Sequence, residues 1–235
     1  MVDGRWLRTF GMLLAPAALA GVAGCSSGGH TASTSAAAAN SASSGTFNAA
    51  ELRGALLTQV NGVSAAAPAT TGKYSMLAGS PASKQAASAQ VTPKACATAA
   101  LSLFNPTGLA ASPAAAVTFR VGGNGVSEVL ISSSTAAGST ALAGHFPAAC
   151  ARYKETAAGK TYTYNIKENS VAGIGQQAKV LNVQAVGNAA GNMWSLMYRG
   201  AGFVGTVTVV GQSASEAAVQ QLGKQAYAFA AKSLA

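Results

Sequence analysis

Aspartate is missing from this chain after Asp3, and the remaining acids are five glutamates, Glu51, Glu128, Glu155, Glu168 and Glu216. Histidine is nearly as scarce, with only His30 and His145. General acid–base chemistry needs a positioned imidazole or paired carboxylates, and the supply of both is thin. Glu51 and Glu216 read as helix caps, Glu128 and Glu168 as solvated charges on strands, and Glu155 as a loop charge beside Lys154. His145, between Leu142 and Phe146, reads as a packed or surface imidazole on a helix, because no acid or nucleophile motif accompanies it. No G-x-S-x-G or phosphate-loop pattern occurs. The glycine clusters Gly122-Gly123-Asn124-Gly125 and Gly173-Ile174-Gly175 read as turns, the first within a hairpin and the second leading into a strand, and neither precedes the helix N-terminus that a phosphate cradle requires. No Cys-x-x-Cys is present, and zinc needs three or four convergent ligands. The expectation is therefore no catalytic residue, no metal set and no cofactor.

Charged residues are also few, 9% of the chain, and aromatics make up 6%. What charge there is leans one way: 15 Lys and Arg against 6 acids give a net +9. The basic residues Arg53, Lys73, Lys84, Lys94, Arg120, Lys179, Arg199 and Lys224 are scattered singly, without the clustering that nucleic-acid binding shows. Nucleic acid is thus excluded as an expected partner. Diffuse positive charge suits solubility, or attraction to anionic polymers and headgroups.

The N-terminus carries Arg5 and Arg8, then an apolar stretch from Phe10 to Val22 that has the size of a signal h-region and is too short to span a bilayer comfortably. It ends in Val22-Ala23-Gly24-Cys25, which resembles the lipobox of bacterial lipoproteins. That resemblance implies cleavage between Gly24 and Cys25, a lipid on Cys25, and the membrane as a partner through that anchor. Residues 1–24 are then a signal peptide. Residues 25–46, Ser-, Ala- and Gly-rich without a large apolar side chain, read as a flexible spacer, and 47–235 as one extracytoplasmic domain. With Cys25 lipidated, Cys96 and Cys150 remain as an even pair. An oxidising exterior favours their disulfide over two buried thiols or a redox or metal pair.

Phe47-Asn48-Ala49-Ala50-Glu51 predicts a helix with Asn48 as N-cap and Glu51 reaching back, ending near Asn61-Gly62. Thr92-Pro93 predicts a second helix through Phe104, stopped by Asn105-Pro106. A third is expected from Thr135 to Tyr153, kinked at Pro147. Alternation predicts strands around Val117–Val121, Val126–Ser132, Tyr162–Ile166, Ala178–Val186, Met193–Arg199 and Phe203–Val210. The chain closes with a helix from Ser213, capped by Ser213 and Glu216, with Val219, Leu222, Ala226 and Phe229 inward. The expected fold is α+β, a twisted antiparallel sheet with helices packed on one face. Its open face would carry Thr161, Thr163, Asn165, Lys167, Thr206 and Thr208, and convergence of Arg120 and Arg199 there would make a carboxylate- or phosphate-binding patch.

The order of elements, with Cys96 on a helix before Ala100-Leu101, Phe146-Pro147-Ala148-Ala149-Cys150, Gly173-Ile174-Gly175 before a strand and Tyr198-Arg199-Gly200 between strands, resembles the PknH-like extracellular sensor domain of actinobacteria. The resemblance covers roughly Phe47 to Ala235. It implies a helix-covered antiparallel sheet, a cleft for an extracellular ligand of unknown identity, no enzymatic activity, and Cys96–Cys150 as the matching disulfide. The sequence departs from that family in having one cysteine pair rather than two, and Gln176 where an acid is expected. The function expected is a membrane-anchored lipoprotein with a sensor-like or ligand-binding domain. A lipid or glycolipid carrier and an envelope hydrolase are the alternatives.

Overall fold

The computed structural model describes residues 47–78, 89–102, 108–157, 159–186 and 191–235. The expected signal peptide, Gly24 and Cys25, the spacer, Phe104 and the Asn105-Pro106 stop lie outside the described residues.

Asn48 opens helix α1 (Ala49–Gly54) as the capping box requires: its side chain accepts from the Ala50 and Glu51 amides, and Glu51 Oε2 accepts from the Asn48 amide at 2.7 Å. The helix is shorter than the apolar spacing of Leu52, Leu56 and Val60 predicts. Its C-cap is Ala55. Asn61 and Gly62, expected as a helix stop, instead turn a small hairpin between β1 (Gln59–Val60) and β2 (Val63–Ser64). Both have positive φ, +49° and +77°, the backbone of a two-residue hairpin turn whose twist matches the flanking strands. Leu56 and Val60 are buried nonetheless, because a short loop can deliver the same stripe to the core that a helix would.

The chain continues through β3 (Thr70–Lys73), α2 (Tyr74–Ala78), β4 (Gln90–Thr92), α3 (Cys96–Ser102), β5 (Pro113–Val121), β6 (Asn124–Ser132), α4 (Thr135–Ala143), a 3₁₀ turn (Ala148–Cys150), β7 (Arg152–Ala157), β8 (Lys160–Val171), β9 (Gln177–Val186), β10 (Asn192–Arg199), β11 (Phe203–Val210) and α5 (Glu216–Ser233). Among the described residues nine strands form one sheet in the order β3-β5-β6-β11-β10-β9-β8-β7-β4, every neighbour pair antiparallel. The fold is α+β.

The third expected helix divides at the place where proline forbids it. α4 stops at Ala143, Gly144 to Pro147 run extended, and Tyr153 belongs to β7. Glu155, expected in a loop, is likewise on β7. The final helix starts two residues late. Ser215 is its N-cap, accepting from the Ala218 amide, while Ser213 is taken by hydrogen bonds with Asn124. Its inner face is Val219, Leu222, Ala226 and Ala230, all buried, and Phe229 is turned outward at 37% exposure, since Ala230 continues the 3.6-residue repeat from Val219 and Phe229 falls beside it.

Helices lie on both faces of the sheet, where the sequence reading placed them on one. The face carrying Val117, Phe119, Val126, Leu196, Tyr198 and Val207 packs against α1 and α5. The other face has two smaller cores. Tyr74 of α2 and Leu142 of α4 close over Ala114, Ile131 and Val204, and Cys96 and Cys150 close over Tyr153, Tyr164, Ile166 and Val183. Antiparallel sheets with one solvated face alternate polar and apolar residues. Here β9 and β11 alternate buried with half-buried positions, the mark of a sheet partly covered on its second side.

Candidate functional site

The second face holds the site. A cavity of about 310 Å³ opens beside the end of α4 and above β8 and β9, walled by Leu142, His145, Glu168, Ser170, Gln177 and Lys179 among others. The strand period of two brings these groups together. Glu168 and Ser170 alternate on β8, Lys179 pairs directly with Ser170, and Leu181 pairs with Glu168, so Glu168 and Lys179 are diagonal neighbours on one face. Lys179 Nζ stands 3.0 Å from Glu168 Oε1, with side chains only 20% and 12% exposed. Lys179 also donates to the Gly144 carbonyl, and Glu168 Oε2 accepts from the Phe146 amide at 2.8 Å. The ion pair thus ties the segment between α4 and the 3₁₀ turn to the sheet, and makes one wall of the cavity. Glu168 is therefore not the solvated strand charge that the sequence suggested, because Phe146 and Lys179 give it partners that offset burial.

His145 Nδ1 lies 3.7 Å from Glu168 Oε1, but its ring is 78% exposed. It is a rim residue, on the surface as expected though just beyond α4 rather than within a helix. The chemistry this wall offers a bound molecule is a paired ammonium and carboxylate, an amide from Gln177 and a hydroxyl from Ser170, alongside hydrocarbon from Leu142 and Ala143. Such a mixture of apolar wall and few convergent polar groups is what small-molecule sites use.

Arg120 and Arg199 do not converge. Cross-strand partners lead from Arg199 through Val204 and Ile131 to Ala114 on β5, whereas Arg120 lies six residues further along that strand. The two share a face but are separated by roughly 20 Å along the strands alone. The polar row was also misassigned. Thr163, Asn165 and Lys167 pair with Val186, Gln184 and Asn182, on the α5 side, while Thr206 and Thr208 pair with Met197 and Ser195 on the other. Arg199 instead lies under α4, its Cδ 2.8 Å from where a Cβ on Gly138 would stand. Its Nε and Nη1 are sealed from solvent without a hydrogen-bond partner.

Cys96 and Cys150 form the disulfide, S–S 2.00 Å and Cα–Cα 5.5 Å, linking α3 to the 3₁₀ turn. Glu128 departs furthest from the sequence reading. Expected at the surface, it is 1% exposed in the main core. Among the described residues no group of three His, Cys, Asp or Glu side chains could hold a metal ion, and no helix is long and apolar enough to cross a membrane.

Among the described residues these elements define an α+β fold with a small cleft on the second face of its sheet. The solved extracellular domain of PknH from Mycobacterium tuberculosis is similar at 14% identity over 61% of this chain and 78% of that one, TM-score 0.46. A putative uncharacterized protein from Mycobacterium smegmatis, the Rv0999 ortholog, is similar at 18% identity over 61% of this chain and 77% of that one, TM-score 0.40. No protein-family profile and no curated protein matches the sequence.

Proposed function

We propose that this protein is a membrane-anchored extracytoplasmic lipoprotein whose domain binds a small polar ligand without chemically changing it, in the manner of a sensor. The observation that carries the reading is the cavity beside α4, where the Glu168–Lys179 pair, Ser170 and Gln177 stand beside Leu142 and Ala143. A ligand with hydrogen-bonding groups on one side and hydrocarbon on the other fits that wall. The amine of the pair is engaged by the Glu168 carboxylate and by the Gly144 carbonyl, an arrangement that suits holding a ligand better than nucleophilic attack, which needs a free neutral amine. The motifs around Cys96, Cys150 and Tyr198-Arg199-Gly200 that resemble the PknH-like sensor domain support the same reading. The stretch Val22-Ala23-Gly24-Cys25 supports the anchor.

Native mass spectrometry of the gently extracted protein tests the binding half. A co-purifying small molecule that is lost on Gln177→Leu, with the fold retained by circular dichroism, is the expected result; a protein that arrives without any adduct, and shows none with a panel of envelope saccharides and amphiphiles, removes the proposal. Membrane fractionation tests the anchor. Cys25→Ala is expected to leave the protein unprocessed or shed, and an unchanged membrane-bound fraction counts against a lipid on Cys25.

A further inference from the structure

Glu128 lies on β6 with its side chain toward α1 and α5, 1% exposed, between the cross-strand partners Val117 on β5 and Val207 on β11. Its Oε2 accepts one hydrogen bond, from the Leu57 amide at 2.8 Å. Its Oε1 is sealed from solvent with no partner. Among the described residues it takes part in no ion pair, since the two pairs found both use Glu168. β5 and β11 present valines; α1 turns Leu52 inward and leaves Glu51 and Arg53 exposed; α5 turns Val219, Leu222 and Ala226 inward and leaves Lys224 and Lys232 exposed. β10 presents Tyr198, whose own hydroxyl is sealed and unpartnered, and α5 also brings the half-buried Tyr227 against the Tyr198 ring. A carboxylate has lone pairs for about four hydrogen bonds, and here one donor serves it.

We propose that Glu128 is a proton-operated latch on the N-terminal segment 47–57: protonated, it holds that segment against the sheet, and ionised, it favours release. The segment is tied to β6 at two points, Phe47 N–H to Ser132 Oγ at 3.0 Å and Leu57 N–H to Glu128. Opening at the Leu57 end would let water reach the carboxylate. A neutral carboxyl gains little from that, whereas an ionised one recovers its hydration. Burial pushes the Glu128 pKa up from 4.5 to about 7, with the Leu57 amide pulling the other way.

The direction follows from linkage. A released Glu128 ionises near 4.5 and the docked one near 7, so docking costs nothing extra below 4.5, weakens progressively between the two values, and is weakest above 7. Mild acid tightens the latch. The reading is independent of any ligand in the α4 cavity, which lies on the other face.

Hydrogen exchange of the full chain tests it, comparing peptides over 47–60 with peptides from β10 and β11 at pH 5 and pH 8 after correction for intrinsic rates. In the wild type the protection factor of 47–60 is expected to fall at least about tenfold from pH 5 to pH 8, beyond any change in the β10 and β11 peptides. Glu128→Gln, which keeps an acceptor for Leu57 and cannot ionise, is expected to abolish the difference. A pH-independent protection factor in the wild type, or the same fall in Glu128→Gln, overturns the proposal. If that variant does not fold, carboxyl ¹³C titration of the wild type with Glu128 assigned decides instead: Glu128 titrating near neutrality, with the amides of 47–60 shifting at the same midpoint, supports the latch, and Glu128 titrating near 4.5 or without effect on those amides excludes it.

Discussion

The Tyr198 ring lies flat over Gly205: a Cβ built on Gly205 would stand 2.2 Å from the ring's Cζ and 2.4 Å from its hydroxyl oxygen. The two residues are direct cross-strand partners on β10 and β11. Tyr198 is fully buried, and its ring makes edge-to-face contacts with Phe203 and Tyr227 at centroid distances of 6.3 and 5.8 Å. The missing side chain on one strand is thus the room that the tyrosine on the next occupies.

Gly205→Ala is therefore expected to destabilise the domain by about 3 kcal/mol, the upper part of the usual overpacking cost, because a rigid ring sealed on every side cannot yield. Urea unfolding of the two proteins measures it. A change within about 0.5 kcal/mol, the size usual for an innocuous surface substitution, would show that the ring can move.

Tyr198→Phe should act the opposite way. The hydroxyl is buried with no hydrogen-bond partner, so removing it relieves an uncompensated desolvation cost and leaves the ring in place. The expected gain is about 1 kcal/mol. A loss of that size would reveal a hydrogen bond through an internal water.

Cys96→Ser with Cys150→Ser opens a loop whose ends are 54 residues apart in sequence. The chain-entropy treatment of a loop that long gives a loss of about 4 kcal/mol. Non-reducing peptide mapping should first recover the Cys96–Cys150 pair, and guanidinium unfolding of the double variant then gives the loss. Two free thiols in the folded domain would contradict the structure.

Glu168→Ala leaves Lys179, 20% exposed, without its carboxylate and the Phe146 amide without its acceptor. The expected cost is about 2 kcal/mol, with faster amide exchange between residues 144 and 147. His145→Ala, whose ring stands 78% in solvent, should leave both quantities unchanged. Equal losses from the two variants would mean that the imidazole, not the lysine, steadies the carboxylate.

Elements governed by local chemistry were legible in the sequence. The capping box at Asn48 and Glu51, the Phe203–Val210 strand and the turn at Gly122-Gly123 follow from short-range rules, and all three are found. The departures come where distant chain decides. Ser213 loses its capping role to Asn124, 89 residues away, and Leu56 reaches the core without a helix. Glu128 and Glu168 stood in alternating strands as any surface glutamate would; nothing local announces that Leu57 or Phe146, 71 and 22 residues off, will bring an amide to each. The cavity was hidden for the same reason, since its wall needs the register of β8 against β9. A signal did exist for the arginines: counting residues along an assumed β5–β6–β11–β10 order would have placed Arg120 and Arg199 at opposite ends.

The two outermost strands bear on how the protein avoids joining to copies of itself. β3 has four residues and β4 three, against nine in β5, so neither flank offers a long row of free peptide groups to a passing chain. Thr92 is followed at once by Pro93, which has no amide to donate, and the stretch of β5 past β3 is partly occupied, the Ala66 amide donating to the Thr118 carbonyl at 2.8 Å. Short, interrupted flanks discourage strand-to-strand polymerisation. On the lipid tether proposed above, copies would crowd side by side on one surface, where such protection matters more than in dilute solution.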